Sequence, residues 1–105
     1  MSEKNKENKE EVKLVEKKWV GTEWAGEEDR LLRFKVDDSE AEVYIAHPIR
    51  VKRGEVEPIS VAFDGMLMFE GDIKEFKEEF PELFEKSKDE IEAMGYEVKK
   101  LKDVV

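Results

Sequence analysis

The sequence predicts an α+β domain: a mostly antiparallel sheet of five or six strands packed on one long, Pro-interrupted helix. Three observations predict it. Apolar and polar residues alternate through residues 31–36 and 42–46, the two-residue period of a half-buried strand. Turn-forming clusters, Asp37-Asp38-Ser39-Glu40 and Asp64-Gly65, punctuate the alternating runs. From residue 73 the apolar period lengthens to that of a helix, with positions 73, 76, 80, 83, 84, 91 and 94 on one stripe.

Taken in order, residues 1–10 hold only Lys, Glu, Asn and Ser after Met1, so nothing there can be buried and a disordered charged tail is expected. Residues 11–105 are expected to form a single domain. In residues 11–20, Val12, Val15 and Trp19 sit at helical spacing while Val12 and Leu14 sit at strand spacing; the segment is read as a strand. Residues 21–29, with two Gly, form a loop. Leu32, Phe34 and Val36 then face one way, Val43 and Ile45 return on the same side, and the Asp37–Glu40 cluster turns the chain between them. Pro48 ends the second strand of this hairpin, since it has no N–H for the ladder. Ile49 and Val51 alternate with Arg50 and Lys52, which predicts a further strand closing at Gly54. Ile59, Val61 and Phe63 lead into Asp64-Gly65 and back through Met66-Leu67-Met68-Phe69, a strong hairpin signal.

The helix has marked ends. Asp72 followed by Glu75 reads as a capping box. Pro81 lacks an N–H and clashes with the preceding turn, so a kink or break is expected near Phe80, with Pro81 suited to open the second piece. Gly95 suits a left-handed cap, with Tyr96 as its hydrophobic partner. Residues 96–101 are read as a short last strand.

Composition excludes several classes of chemistry. The chain has no Cys, which rules out disulfides, thiolate metal sites and thiol catalysis. No apolar run approaches the roughly 18 residues of a membrane span, and the first residues lack the apolar core of a secretory signal. A cytoplasmic location with no membrane partner is therefore expected. Charged residues make up 45% of the chain, Gln is absent, and Asn occurs only at positions 5 and 8. That bias is the one expected of a thermophile, in which ion-pair networks help at high temperature and amide side chains degrade.

The charges are sorted by segment within an overall net charge of -9. Residues 30–53 carry Arg30, Arg33, Lys35, Arg50, Lys52 and Arg53 against only Asp37, Asp38, Glu40 and Glu42. Residues 70–94 carry ten carboxylates against Lys74, Lys77, Lys86 and Lys88. If Leu32, Phe34, Val36, Val43, Ile45, Ile49, Val51, Ile59, Val61 and Phe63 point at the helix, the opposite face collects Arg33, Lys35, Tyr44, Arg50 and Lys52. Cations with an aromatic among them suit single-stranded nucleic acid, because Arg and Lys meet phosphates and rings stack on unpaired bases. Trp19 and Trp24, near Lys17 and Lys18, add stacking platforms. Against this stand the acidic total, which opposes phosphate binding, and the ordinary role of Lys and Arg in solvating an open sheet.

Other residues have blander readings. His47, the single His, can cap a turn at Pro48, pack, or meet a ligand; no Ser or acid spacing around it forms a catalytic set. The Asp37–Glu40 cluster lacks the fixed Gly and terminal Glu of a calcium loop and reads as a turn. The carboxylates of residues 70–94 line a solvated helix face. Phe76, Phe80 and Phe84 are mainly core, and any surplus, with Met66–Phe69, suits a dimer or tetramer interface.

On the Trp19/Trp24 region, the Arg33–Lys35 and Arg50–Lys52 segments and the Phe-rich helix after Asp72, the chain resembles the ThermoDBP-related single-stranded DNA-binding proteins of thermophilic archaea over residues 11–101. The resemblance implies a curved antiparallel sheet with helices, oligomerisation, and single-strand binding without chemistry. The expectation is thus a noncatalytic domain without cofactor or metal that binds single-stranded DNA or RNA through Trp19, Trp24, Arg33, Lys35, Tyr44, Arg50 and Lys52. The alternative is a protein-interaction or assembly module using the acidic helix and surplus apolar surface. A small-ligand or metal-binding domain ranks third.

Overall fold

A computed structural model describes residues 11–21 and 26–98. The charged tail 1–10, Trp24 and residues 99–101 of the expected last strand lie outside the described residues. Five strands form one antiparallel meander: β1 (Val12–Gly21), β2 (Glu28–Val36), β3 (Ser39–Ile45), β4 (Ile59–Phe63) and β5 (Met66–Gly71), each paired with the next. A short helix α1 (Pro48–Lys52) lies between β3 and β4, and α2 (Ile73–Glu79) and α3 (Pro81–Ala93) follow β5. The α+β class and the five-stranded antiparallel sheet agree with the sequence reading.

The core is one face of the sheet. Cross-strand pairing places Leu32, Val43 and Val61 in one row, Phe34 and Ala41 in the next, and Ile45 and Ile59 in a third. All are fully buried, together with Phe76 and Ile91 from the helices that cover them. At roughly 25 cal/mol per Å² of apolar area removed from water, these rows are the main source of stability. Five phenylalanines meet at the β4–β5 end: Phe69 lies edge-on to Phe80 at 5.8 Å, Phe76 edge-on to Phe84 at 6.1 Å, and Phe63 tilts against Phe80 at 5.9 Å.

Two turns use left-handed residues. Asp64 (φ 50°) and Gly65 (φ 84°) join β4 to β5, and Asp37 (φ 54°) sits in the β2–β3 turn. A hairpin closed by two residues needs such angles to match strand twist.

The expected strand at Ile49–Val51 is a correction: these residues form α1. His47 is extended, as a residue before proline must be, and its Nδ1 accepts from the N–H of Ile49 at 3.2 Å. Pro48 occupies the first helical turn, and Gly54 at φ 78° follows the helix end. Cap, proline and glycine outweigh an alternation only four residues long. Ile49 and Val51 are half-buried and take no place in the sheet face.

The single long helix is also corrected. Phe80 leaves helical geometry (φ -134°, ψ 66°), and the chain continues as a separate helix with Pro81 in its first turn. The result is two helices of 7 and 13 residues. The start is a capping box: Asp72 Oδ1 accepts from the N–H of Glu75 at 2.8 Å, and Glu75 Oε1 accepts from the N–H of Asp72 at 3.0 Å. Gly71 must stay bare here, because a Cβ would meet Glu75 Oε1 and lie 2.8 Å from Phe69 Cζ. At the other end, the N–H of Tyr96 donates to Ile91 O and that of Gly95 (φ 107°) to Glu92 O, a Schellman closure. Residues 96–98 are not in a strand. The Tyr96 hydroxyl instead donates to Ala46 O at 2.6 Å, fastening the chain after α3 to the end of β3.

One core group is unmatched. Ser87, on α3, is fully buried, and its Oγ has no hydrogen-bond partner among the described residues. An unsatisfied buried hydroxyl is costly, and Ala has the higher helix propensity. Ser87→Ala is expected to stabilise the fold by about 1 kcal/mol, raising the thermal midpoint by roughly 4–8 °C for a domain of this size. Calorimetry of the two proteins checks this.

Candidate functional site

The open face of the sheet brings together only part of the predicted site. Arg33, Lys35 and Tyr44 share it, on adjacent strands β2 and β3. Lys13 and Lys18 join them from β1 by pairing with Lys35 and Leu31. The same pairing places carboxylates among the cations: Glu16 and Glu42 flank Arg33, and Glu40 lies opposite Lys35. Arg33 is held from both sides, Nη1 at 2.7 Å from Glu16 and Nη2 at 3.2 Å from Glu42. Its guanidinium pKa is raised, first by the Glu16 charge and then by the Glu42 hydrogen bond. The face is therefore mixed in sign. A phosphate approaching Arg33 would have to displace two carboxylates.

Arg50 and Lys52 leave the sheet face because they ride on α1. Arg50 is spent structurally: Nη1 pairs closely with Asp29, and Nε donates to Glu55 at 3.3 Å. Asp29 is itself buried, and its other oxygen accepts from the N–H of His47 at 2.9 Å. Arg53 extends the chain of charges to Glu55 (2.5 Å) and Glu27 (2.8 Å). This network ties α1 and the segment after it to the start of β2. Its hydrogen bonds to Arg53 hold the Glu27 and Glu55 carboxyls below their usual range. Lys52 is exposed and has no ion-pair partner among the described residues. Tyr44 and Arg50 do meet, with Asp29, Ser60, Glu57, Ala46 and Val56, around an open cavity of about 190 Å³. Its one cation is already paired to its buried carboxylate.

Trp19 is in the expected strand but not on the open face. It lies on β1 opposite Arg30, in the row that continues through Ile45 and Ile59, and so shares the helix-covered face. It is nevertheless 54% exposed. Arg30 lies 4.3 Å from the indole centroid and donates to Glu90 at 3.2 Å, while Lys17 reaches the same carboxylate at 3.0 Å. Burial pushes the Glu90 carboxyl up, but the hydrogen bond from Lys17 and the Arg30 charge outweigh it, leaving a pKa below the ordinary value. No local signal pointed to this cluster, since Glu90 is 60 residues from Arg30.

Apolar side chains are exposed on both outer strands: Leu14 and Val15 on β1, between Lys13 and Glu16, and a longer run on β5. Met66, Leu67 and Met68, on the outer strand β5, are 66%, 56% and 58% exposed. A register shift between Val61 and Ala62 makes Met68 an extra residue on β5, a bulge in its ladder with β4. Among the described residues there is no cluster of His, Cys, Asp or Glu suited to a metal ion, and no helix long and apolar enough to cross a membrane. No protein-family model, curated protein or solved structure matches the chain.

The depressed pKa of Glu90 carries a pH prediction. Its ion pairs stabilise the fold above the ordinary carboxylate pKa, and that contribution is lost as pH falls through the lower folded-state value. Glu90→Gln is expected to cost about 1 kcal/mol at neutral pH, with the gap to the parent closing in acid. Urea unfolding of both proteins across the acid range reads the difference.

Proposed function

We propose that this protein is a noncatalytic interaction module that takes a polypeptide partner along the β5 edge. One observation carries the reading: three consecutive large apolar residues, Met66-Leu67-Met68, stand more than half exposed on an outer strand with no second neighbour among the described residues. An outer strand presents free N–H and C=O groups, and such edges usually carry Lys, Pro or inward charge to prevent pairing. This edge has only its bulge and Glu70. Strand addition would use the backbone groups for affinity and the apolar side chains for selection. The test replaces Leu67 with a photo-crosslinking residue, Lys35 serving as the control site, in extract of the cells that make the protein. Adducts from position 67, lost on Met68→Lys, are expected; equal labelling at both positions, or none, refutes the reading.

A second reading is favoured by one observation, the half-exposed indole of Trp19 with Arg30 stacked on it. That ring suits an unpaired base, in line with the resemblance to single-stranded DNA-binding proteins. Anisotropy of a labelled oligothymidine at two salt concentrations tests it. Salt-sensitive binding that quenches Trp fluorescence is expected, weakened by roughly 1–3 kcal/mol in Trp19→Ala. No binding at low salt removes this reading.

A further inference from the structure

We propose that the partner of the β5 edge is a second copy of this chain, joined by two-fold antiparallel pairing of β5 with β5. The inference rests on the interaction-module reading and names its partner.

The charge distribution selects the partner. The chain is 45% charged with a net charge of -9, yet the stretch from Pro58 to Phe69 holds a single charge, Asp64. A near-neutral apolar strip is where two such acidic molecules meet with least repulsion. A basic peptide would gain little from β5 itself, whose only carboxylate is Glu70. The register also suits a copy. With the two-fold axis near Met68, the two Glu70 side chains lie on opposite sides of the axis and do not face each other across the new ladder.

The side chains behind the edge point the same way. Met66 pairs with Phe63, which is half-buried and stacked on Phe80, itself against Phe69. The phenylalanine cluster of the core therefore reaches the surface beside β5, and α2 lies over the same end of the sheet. An antiparallel two-fold pairing keeps the helices of both copies on one side of a continuous ten-stranded sheet, so each copy extends the other's apolar cover. Two-fold pairing of this kind also closes on itself, whereas joining β5 to the β1 edge of another copy would build rings or filaments.

Stoichiometry separates the alternatives. Association of two acidic copies through a neutral strip tightens as salt rises, because screening relieves repulsion, and it stops at two. Pairing of β5 with β1 leaves a free edge on each copy and grows beyond two. Sedimentation velocity on the full chain, from micromolar to near-millimolar protein and at low and high salt, makes the measurement. The expected result is a monomer–dimer equilibrium that saturates at two copies and tightens at high salt. Met68→Lys and Met66→Lys change residues exposed in the monomer, so the unfolding midpoint of dilute protein should hold while dimerisation weakens about tenfold or more. Amide exchange at β5, and not at β1, should slow with concentration. A strict monomer, growth beyond two copies, tightening as salt falls, or a dimer of unchanged strength in the Lys variants would each overturn the proposal. If the purified chain stays monomeric while position 67 crosslinks a different polypeptide in extract, the self-pairing is wrong and the binding edge stands; if neither occurs, both fall.

Discussion

The fold depends on burying one face of one sheet. Leu32, Phe34, Val43, Ile45, Ile59 and Val61 are fully buried only because α2 and α3 lie across them. Nothing else among the described residues offers a comparable apolar surface. Two helices of 7 and 13 residues form that cover, so the break at Phe80 shapes it.

A sheet covered on one face still has an open face and two edges, and the three are handled differently. The open face is neutralised by pairing across strands, as Arg33 shows between Glu16 and Glu42. The β1 edge sets its exposed Leu14 and Val15 among lysines and Glu16, and its half-exposed Trp19 is covered on one side by Arg30. The β5 edge carries neither lysine nor proline, and its apolar side chains are left in water. This asymmetry turns attention from the basic face to the β5 edge.

The arginines illustrate how charge is used. Arg30, Arg33, Arg50 and Arg53 all have carboxylate partners, and the Glu27–Arg53–Glu55–Arg50–Asp29 chain ties α1 to β2. A guanidinium holding two carboxylates is a fastening first, and the excess of cations in residues 30–53 is largely absorbed by such fastenings. Counting charges along the chain showed the imbalance. It did not show that the neutralising carboxylates come from β1, β3, α3, the start of β2 and the segment after α1.

Periodicity determined much of this protein without coordinates. The two hairpins, the buried rows of β2, β3 and β4, the Asp72–Glu75 cap, the break before Pro81 and the Gly95 closure all follow from local rules over two to seven residues. The Ile49–Val51 segment was misread because four alternating residues fit a strand as well as one helical turn; the His47 cap, Pro48 and Gly54 were the stronger signals. The Met66–Phe69 run was visible as surplus apolar surface, but its exposure was not. Tertiary structure alone decided that Trp19 shares the helix side, that Arg33 is neutralised, that Arg50 is a fastening, and that Met66–Met68 lie on an uncovered edge. The physical reason is that local sequence sets backbone geometry and side-chain parity. Which charges meet and which edge stays open depend on contacts between residues far apart in the chain.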